Sequence, residues 1–519
     1  MIIVPDSVVE FYHGVPLDNT YEHTVLFSDV SAQNNYFHGN INILSKRVNR
    51  NTYFRVERGV MRVEATAKEL YNCNYLAFQN SSFAEKWFYA FVTNVEYVNN
   101  STVDVSFELD VMQTYMFDYI PKESFVLREH VVNDTVGANL LSEPVEIGEL
   151  TASSIVQSPY FGRWDLLIGH AFYENKESKP GGIFHNMLTG LDYGVIPVST
   201  TTIDELKTFL KTVNDADKQS SVVSMTIVPD AFIGDASDVV TKEDVIGKPT
   251  SLHGYVPRNK KLLTYPYNSL VVHAGAESKV YKFEQFNTNE CDFTLAGCYN
   301  GNPEISITPK SYQTNPNAGS GISHHGYNVN HQVVLSNFPM VGWAYDTFRS
   351  WLAQKGPSMA LSSLIGATTA IAGVGASMMM GNPLPAMMGA LAGAGSISKN
   401  VMEYSTAEAT QGTEVRGSSS GGVNTATGDY AVYYETLQMR PQYARIADDY
   451  LDKYGYNCKE LKVPNRNSRP HWNYVKTAGF NCVGNVPQKY LKKICNIYDS
   501  GITFWKSPSE VGNYSLNNH

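Results

Sequence analysis

Thr102 to Val111 reads TVDVSFELDV, with apolar and polar residues in strict alternation. Val103, Val105, Phe107, Leu109 and Val111 fall on one side of an extended chain. Thr102, Asp104, Ser106, Glu108 and Asp110 fall on the other, which is the period-two pattern of a half-buried strand. Just upstream, Trp87 to Val98 (WFYAFVTNVEYV) is a second run of aromatic and β-branched residues, and Asn99-Asn100 supplies a turn between the two. An antiparallel meander is the economical fold for such a pair. Ser221 to Pro229, Lys261 to His273 (KLLTYPYNSLVVH) and Ile502 to Trp505 extend the strand-rich character along the chain.

Helices are few. Thr202 and Glu205 form a capping-box pattern, followed by Ile203, Leu206, Leu210 and Val213 on one face. Gly342-Trp343 to Lys355 reads as a second helix, with Trp343, Ala344, Phe348, Trp351 and Leu352 along one side. A third runs from Pro487 to Gly501, with Tyr490, Leu491, Ile494 and Ile497 as its apolar side. The expected fold class is therefore mainly β with a few helices (α+β).

Composition agrees with that class. The 519 residues are enough for two or three domains. Charged residues make up only 17 %, and 33 tyrosines favour strands, long loops and broad protein contacts over a compact helical enzyme. A formal net charge of −10 argues against a sequence-reading DNA binder, which needs a basic stripe. It is compatible with a wall past which DNA slides, because a neutral or acidic lining does not grip phosphates. The six cysteines include no C-x-x-C pair and are too sparse for a disulfide scaffold, so buried free thiols are expected. The opening MIIVPDSVVEF has no basic leader and is interrupted by Asp6 and Glu10, so no secretory signal is expected there.

One stretch departs from all this. From Gly356 to Ser398, between Lys355 and Lys399, no residue carries a charge, and most are Ala, Gly, Ser, Thr, Met and small aliphatics. A run of roughly 18 such residues suffices for a bilayer-crossing helix. With so much Gly and Ala its gain on entering lipid is modest, which suits a segment stored in a soluble protein and released later. It breaks at Gly381-Asn382-Pro383-Leu384-Pro385, a turn that no helix crosses unbroken. Met359 to Met380 is ~33 Å long as a helix, against a bilayer core of ~30 Å. The apolar candidates for insertion on its first arm are Met359, Leu361, Leu364, Ile365, Ile371, Val374, Met378, Met379 and Met380. Leu384, Met387, Met388, Leu391 and Ile397 follow the turn, and the methionines suit packing in two environments. Gly417 to Gly422 (GSSSGG) then reads as a linker. The expected organisation is a β-rich first part over 1–160 and a middle region of strands and helices over 161–355. A hydrophobic excursion with its linker covers 356–422, and the chain returns to the body over 423–519.

No catalytic or metal signature stands out. There is no H-E-x-x-H or Walker loop. His324, His325 and His331 lack matching ligand spacing and read as loop histidines. Glu108 and Asp110 share a strand face, as many solvated pairs do. No cofactor, metal or catalytic residue is expected.

Several segments carry a resemblance. VPLDNTYEHTVLFSD (Val15 to Asp29) with Tyr36-Phe37, FELDVMQTYMFDY (Phe107 to Tyr119), SFVLREHV (Ser124 to Val131) and NKKLLTYPY (Asn259 to Tyr267) come in that order. NSRPHWNYVKT (Asn467 to Thr477) and NIYDSGITFW (Asn496 to Trp505) follow. Together they resemble the tail knob proteins of small short-tailed phages, the phi-29-like group. The resemblance implies a homo-hexameric tube at the distal end of the virion tail, joined to other tail proteins such as a proximal tube or collar and a tip protein. Hydrophobic loops would plug its lumen, then enter the host membrane lipid to open a path for double-stranded DNA. The alternative is a soluble pore-forming protein that assembles only on membranes.

Overall fold

The alternation at Thr102–Leu109 is a strand, paired antiparallel with Trp87–Asn99 across a turn at Asn100-Ser101. The turn sits one residue later than the sequence suggests, and the Asn99 carboxamide accepts the Ser101 N–H at 2.9 Å. A computed structural model describes residues 6–39, 50–52, 54–80, 86–171, 182–199, 201–215, 221–234, 239–312, 331–341, 343–344, 415–416 and 430–519. Within them the chain is mainly β and divides into two compact units. The first comprises Met1–Glu146, Arg258–Lys261 and Arg445–His519; the second comprises Ile147–Pro257 and Leu262–Ala444.

The first unit holds a seven-stranded antiparallel sheet in the order Arg50–Thr52, Asp6–Tyr12, Tyr75–Asn80, Trp87–Asn99, Thr102–Leu109, Val60–Val63, Phe54–Glu57. Its inner strands are covered on both faces. Tyr75 and Ala77 belong to one buried cluster and Leu76 to another, and Tyr89 and Phe91 are divided in the same way from Ala90. Opposite faces both dry make a strand read as a continuous apolar run rather than an alternation. A five-stranded sheet, Thr24–Val25, Ile502–Trp505, Trp472–Ala478, Ser124–Glu129 and Tyr456–Lys462, completes the unit. Only its Thr24–Val25 pairing is parallel.

Aromatic packing holds the first core together. Phe37 is wholly buried, its ring 4.5 Å from Tyr89, 4.8 Å from Tyr36 and 5.5 Å from Tyr75. Removing such a ring loses both burial and neighbours. Phe37→Ala is expected to cost about 4 kcal/mol, read as a shift of the denaturation midpoint at unchanged slope.

The Thr102 strand ends where Asp110 begins a short helix, Val111–Tyr115. The Asp110 carboxylate accepts the Met112 and Gln113 N–H groups at 3.0 and 3.1 Å and the Tyr75 hydroxyl at 2.9 Å. Val111 therefore lies in a helix, not on the strand face assigned to it from alternation, because an N-cap acceptor outweighs the pattern at its end. The C-terminal helix, Gln488–Ser500, runs as expected from Pro487 to Gly501, with Ile494 and Ile497 buried. Gly501 has φ 105°, and a Cβ there would lie 2.2 Å from the Tyr474 hydroxyl, so only glycine fits.

The second unit is built from two four-stranded sheets, a three-stranded sheet and shorter pairs around one core. Thr151–Gln157, Val432–Gln438, Asn268–Ala274 and Glu277–Tyr281 form one sheet, and Val240–Gly247, Glu290–Cys298, Glu304–Pro309 and Val333–Leu335 another. The three-stranded sheet is Asp192–Pro197, Trp164–His170, Val222–Pro229, beside the Thr202–Asp215 helix, whose Leu206, Leu210 and Val213 are buried. That helix is not capped by a Thr202–Glu205 box. Glu205 instead accepts the Thr201 hydroxyl at 3.0 Å, and Thr202 donates back to the Pro197 carbonyl at 2.8 Å. Lys261 to His273 is likewise not one strand. Lys260–Leu263 is a 3-10 turn and the strand starts at Asn268, after the turn in which Tyr267 N–H reaches the Thr264 carbonyl.

Candidate functional site

The described chain stops at Ala344, resumes at Val415, and its two ends pair. Trp343 pairs with Arg416 and Ala344 with Val415 in an antiparallel ladder. Trp343-Ala344 is thus extended, not the start of the helix read from Gly342, because a cross-strand partner from beyond the run claims its backbone. The ladder's outer neighbours are fixed as well. Val341 N–H donates to the Met225 carbonyl at 2.8 Å, and Ile227 N–H to the Pro339 carbonyl at 2.9 Å. Phe338 precedes the excursion and Tyr430 follows it; both are buried, and their rings stack at 6.2 Å and 23°. Trp164, also buried, lies 6.4 Å from Phe338 and 5.9 Å from Tyr430.

Sequence reasoning missed this aromatic clasp. Its members are isolated aromatics in unrelated segments, and nothing local distinguishes them from ordinary core. Trp164→Ala is expected to cost about 4 kcal/mol, with proteolysis between residues 345 and 414 accelerating before the rest of the unit opens. The insertion candidates Met359 to Ile397 and the turn residues Gly381, Asn382, Pro383 and Pro385 all lie outside the described residues. So do Gly417 to Gly422, His324 and His325. Among the described residues no helix is long and apolar enough to cross a membrane.

In the first unit, polar residues of the Ser124 to Val131 and Asn259 to Tyr267 segments join others in a largely buried network. Glu143 accepts from Arg128 and from Lys261, and also takes the Asn457 N–H at 2.8 Å. The Glu143 and Lys261 side chains are almost wholly enclosed. Burial pushes the Lys261 ammonium down while the Glu143 charge beside it opposes that. Asn259 bonds Asp448 at 3.0 Å and Asp452 at 2.6 Å, and Arg258 pairs with Asp452 at 3.1 Å. Glu129 takes Lys462 and the Asn465 N–H, each at 2.8 Å. His130, 2 % exposed, accepts the Tyr474 N–H on Nδ1 and donates from Nε2 to the Asp452 carbonyl, both at 2.8 Å. Burial holds its imidazole at about 3, well below the ordinary range. These groups hold one another, so the network sets backbone positions.

The remaining candidates separate. Glu108 is exposed and pairs with Lys493 at 2.5 Å, whereas Asp110 is a buried cap, so they form no catalytic pair. His331 offers its carbonyl to the Tyr281 hydroxyl, and its ring lies 5.1 Å from Tyr312. Among the described residues no group of three His, Cys, Asp or Glu could hold a metal. All six cysteines are free thiols; Cys73, Cys291 and Cys482 are buried and the others partly so.

Comparison with known proteins bears on both units. Residues 235–519 match the family model described as Bacillus phage phi29, tail knob protein gp9, C-terminal domain, and residues 5–121 match the caudoviral major tail protein N-terminus. The chain is 25 % identical to tail knob protein gp9 of Bacillus phage B103 over 599 aligned residues, covering 98 % of each. It is also 25 % identical to the gp9 proteins of Bacillus phages PZA and phi29 over 592, with 98 % of each covered. The solved structure of the bacteriophage C1 tail knob protein, gp12, matches 99 % of both chains with a TM-score of 0.61 at 15 % identity, a likeness of fold.

Proposed function

The chain belongs to the phi29 tail knob protein gp9 family, and from that premise we propose that six copies form a tube at the distal end of a short phage tail, which opens the host membrane for the genome. As a member of that family it is a structural component of the virion tail and not an enzyme. The observation that carries the finer reading is the charge-free run Gly356 to Ser398, set between strands that pair with each other. A segment pinned at both ends by one ladder can be displaced while the body stays folded.

In the assembled tube six such segments would bury one another in the lumen and stay out of water. Once displaced, they have only the bilayer in which to bury apolar surface. Each insertion is weak, but six on one ring act together, as in any multivalent attachment. DNA would then pass without sequence recognition through a lumen that does not bind phosphate tightly. Other tail proteins would join the tube at its two ends.

Negative-stain electron microscopy of the purified protein in lipid-free buffer tests this reading. Six-fold rings or short tubes with a bore wide enough for duplex DNA are expected. Monomers alone, forming rings only after liposomes are added, would replace it with a membrane-triggered pore former.

A further inference from the structure

We propose that the second unit carries a docking groove for an extended peptide, independently of the tube reading, between the strand Asp192–Pro197 and the helix Thr202–Asp215. The strand is the outer one of its sheet among the described residues. Its register with Trp164–His170 pairs Leu166 with Ile196 and Ile168 with Gly194. One step beyond, Val198 N–H donates to the Trp164 carbonyl at 2.9 Å. Backbone groups alternate sides along a strand, so Ile196 and Gly194 bond inward while Tyr193 and Val195 present N–H and C=O outward. Pro197 faces outward as well and lacks an N–H.

Beside that edge lies an open groove of about 560 Å³. Ile168, Gly194 and Ile196 form its apolar floor, with Thr208 and Phe209 on the helix wall. A Cβ on Gly194 would lie 3.8 Å from His170 Nε2, and the His170 ring stands 5.5 Å from that of Phe209, so this ring bounds the floor at one end. Val195 is 42 % exposed. Asp204 and Glu205 stand among the lining residues, which include no Lys or Arg; Lys207, 3.3 Å from Asp204, is outside the lining.

An unpaired edge alongside a helix is the arrangement in which a peptide adds as a further strand, with main-chain bonds giving affinity and pockets for alternate side chains giving specificity. The charge of the lining selects the occupant. It is an extended segment of a partner protein with an aliphatic side chain over Gly194 and a lysine or arginine beside Asp204 and Glu205.

The probe is a fluorescein-labelled hexapeptide, Lys-Val-Thr-Val-Lys-Thr in sequence, titrated with the full chain by fluorescence anisotropy. Saturable binding in the tens to hundreds of micromolar is expected, and it should vanish when both valine nitrogens of the peptide are methylated. Val195→Pro removes an outward N–H at a position that tolerates proline, as Pro197 does, and should weaken binding about tenfold without lowering the unfolding midpoint. Gly194→Leu should do the same by filling the floor, and Asp204→Lys should weaken it about threefold. The proposal is overturned if the wild-type chain gives no saturable binding, if the methylated peptide binds equally, or if Val195→Pro and Gly194→Leu leave the affinity unchanged.

Discussion

Between pH 7 and pH 4.5 the His130→Gln variant is expected to be more acid-resistant than the wild type by roughly 3 kcal/mol. In the folded first unit His130 is neutral, with Nδ1 committed to the Tyr474 N–H and Nε2–H to the Asp452 carbonyl, and its folded value is about 3. Desolvation is the largest cause, and Arg469 and His519 depress it further, while Asp452 opposes them. In the unfolded chain a histidine titrates near ~6.5. Below that pH the unfolded state binds a proton that the folded state refuses, so stability falls at about 1.4 kcal/mol per pH unit until the folded value is reached. Gln keeps a donor for the Asp452 carbonyl and does not titrate. Its dependence on pH should flatten, at some cost in stability near neutrality.

Asp110 in the same unit works in the opposite sense. Burial raises its carboxyl to about 6, against the pull of its cap and Tyr75 hydrogen bonds. A raised acid stabilises the fold fully below its unfolded value of ~3.9 and loses that contribution as pH climbs through about 6. Asp110→Asn should therefore make the protein more acid-sensitive by roughly 2 kcal/mol over the same range. Hydrogen exchange at the Tyr474 amide, measured across the pH series in all three proteins, reads both effects. Parallel profiles for wild type and His130→Gln would remove His130 as the acid-sensitive group.

His130 also marks the limit of what the sequence discloses. Local patterns are legible: the alternation from Thr102 to Leu109, the Pro487–Gly501 helix and the Ile502–Trp505 strand are all visible in neighbouring residues, and each is present. Some errors are local, a turn or a cap displaced by one residue, whereas Trp343-Ala344 is misread because its partner strand lies far along the chain. Arg128, His130, Asn259 and Lys261 lie within the quoted segments, but Glu143, Asp448 and Asp452, which bind them, do not. His130 meets Asp452 across 322 residues and Arg128 meets the Gly455 carbonyl across 327, so no spacing rule reaches them. The clasp of Trp164, Phe338 and Tyr430 is hidden for the same reason, since its partners meet only through tertiary packing. The charge-free run is the reverse case. Composition alone singles it out, whereas its ladder at Trp343-Ala344 and Val415-Arg416 appears only in three dimensions.

That contrast sets the second large prediction. Replacing Ile365, Ile371 and Val374 together with Asp is expected to abolish membrane insertion and leave ring assembly intact. An aspartate near the centre of a crossing helix costs about 3 kcal/mol, so three cost roughly 9 kcal/mol per copy. The Ala- and Gly-rich arm from Met359 to Met380 gains too little from lipid to offset that. The body need not suffer, because Pro339, Val341, Trp343-Ala344 and Val415-Arg416 are held by backbone bonds and strand pairing of their own. Release of a dye from liposomes by the purified protein, alongside electron microscopy of the same sample, separates the two effects. Intact rings with no release are expected, while a triple serine variant, uncharged, should release at a reduced rate. If the triple aspartate protein forms rings and still empties liposomes at the wild-type rate, the run does not insert. Its charge-free composition would then serve packing within the tube alone.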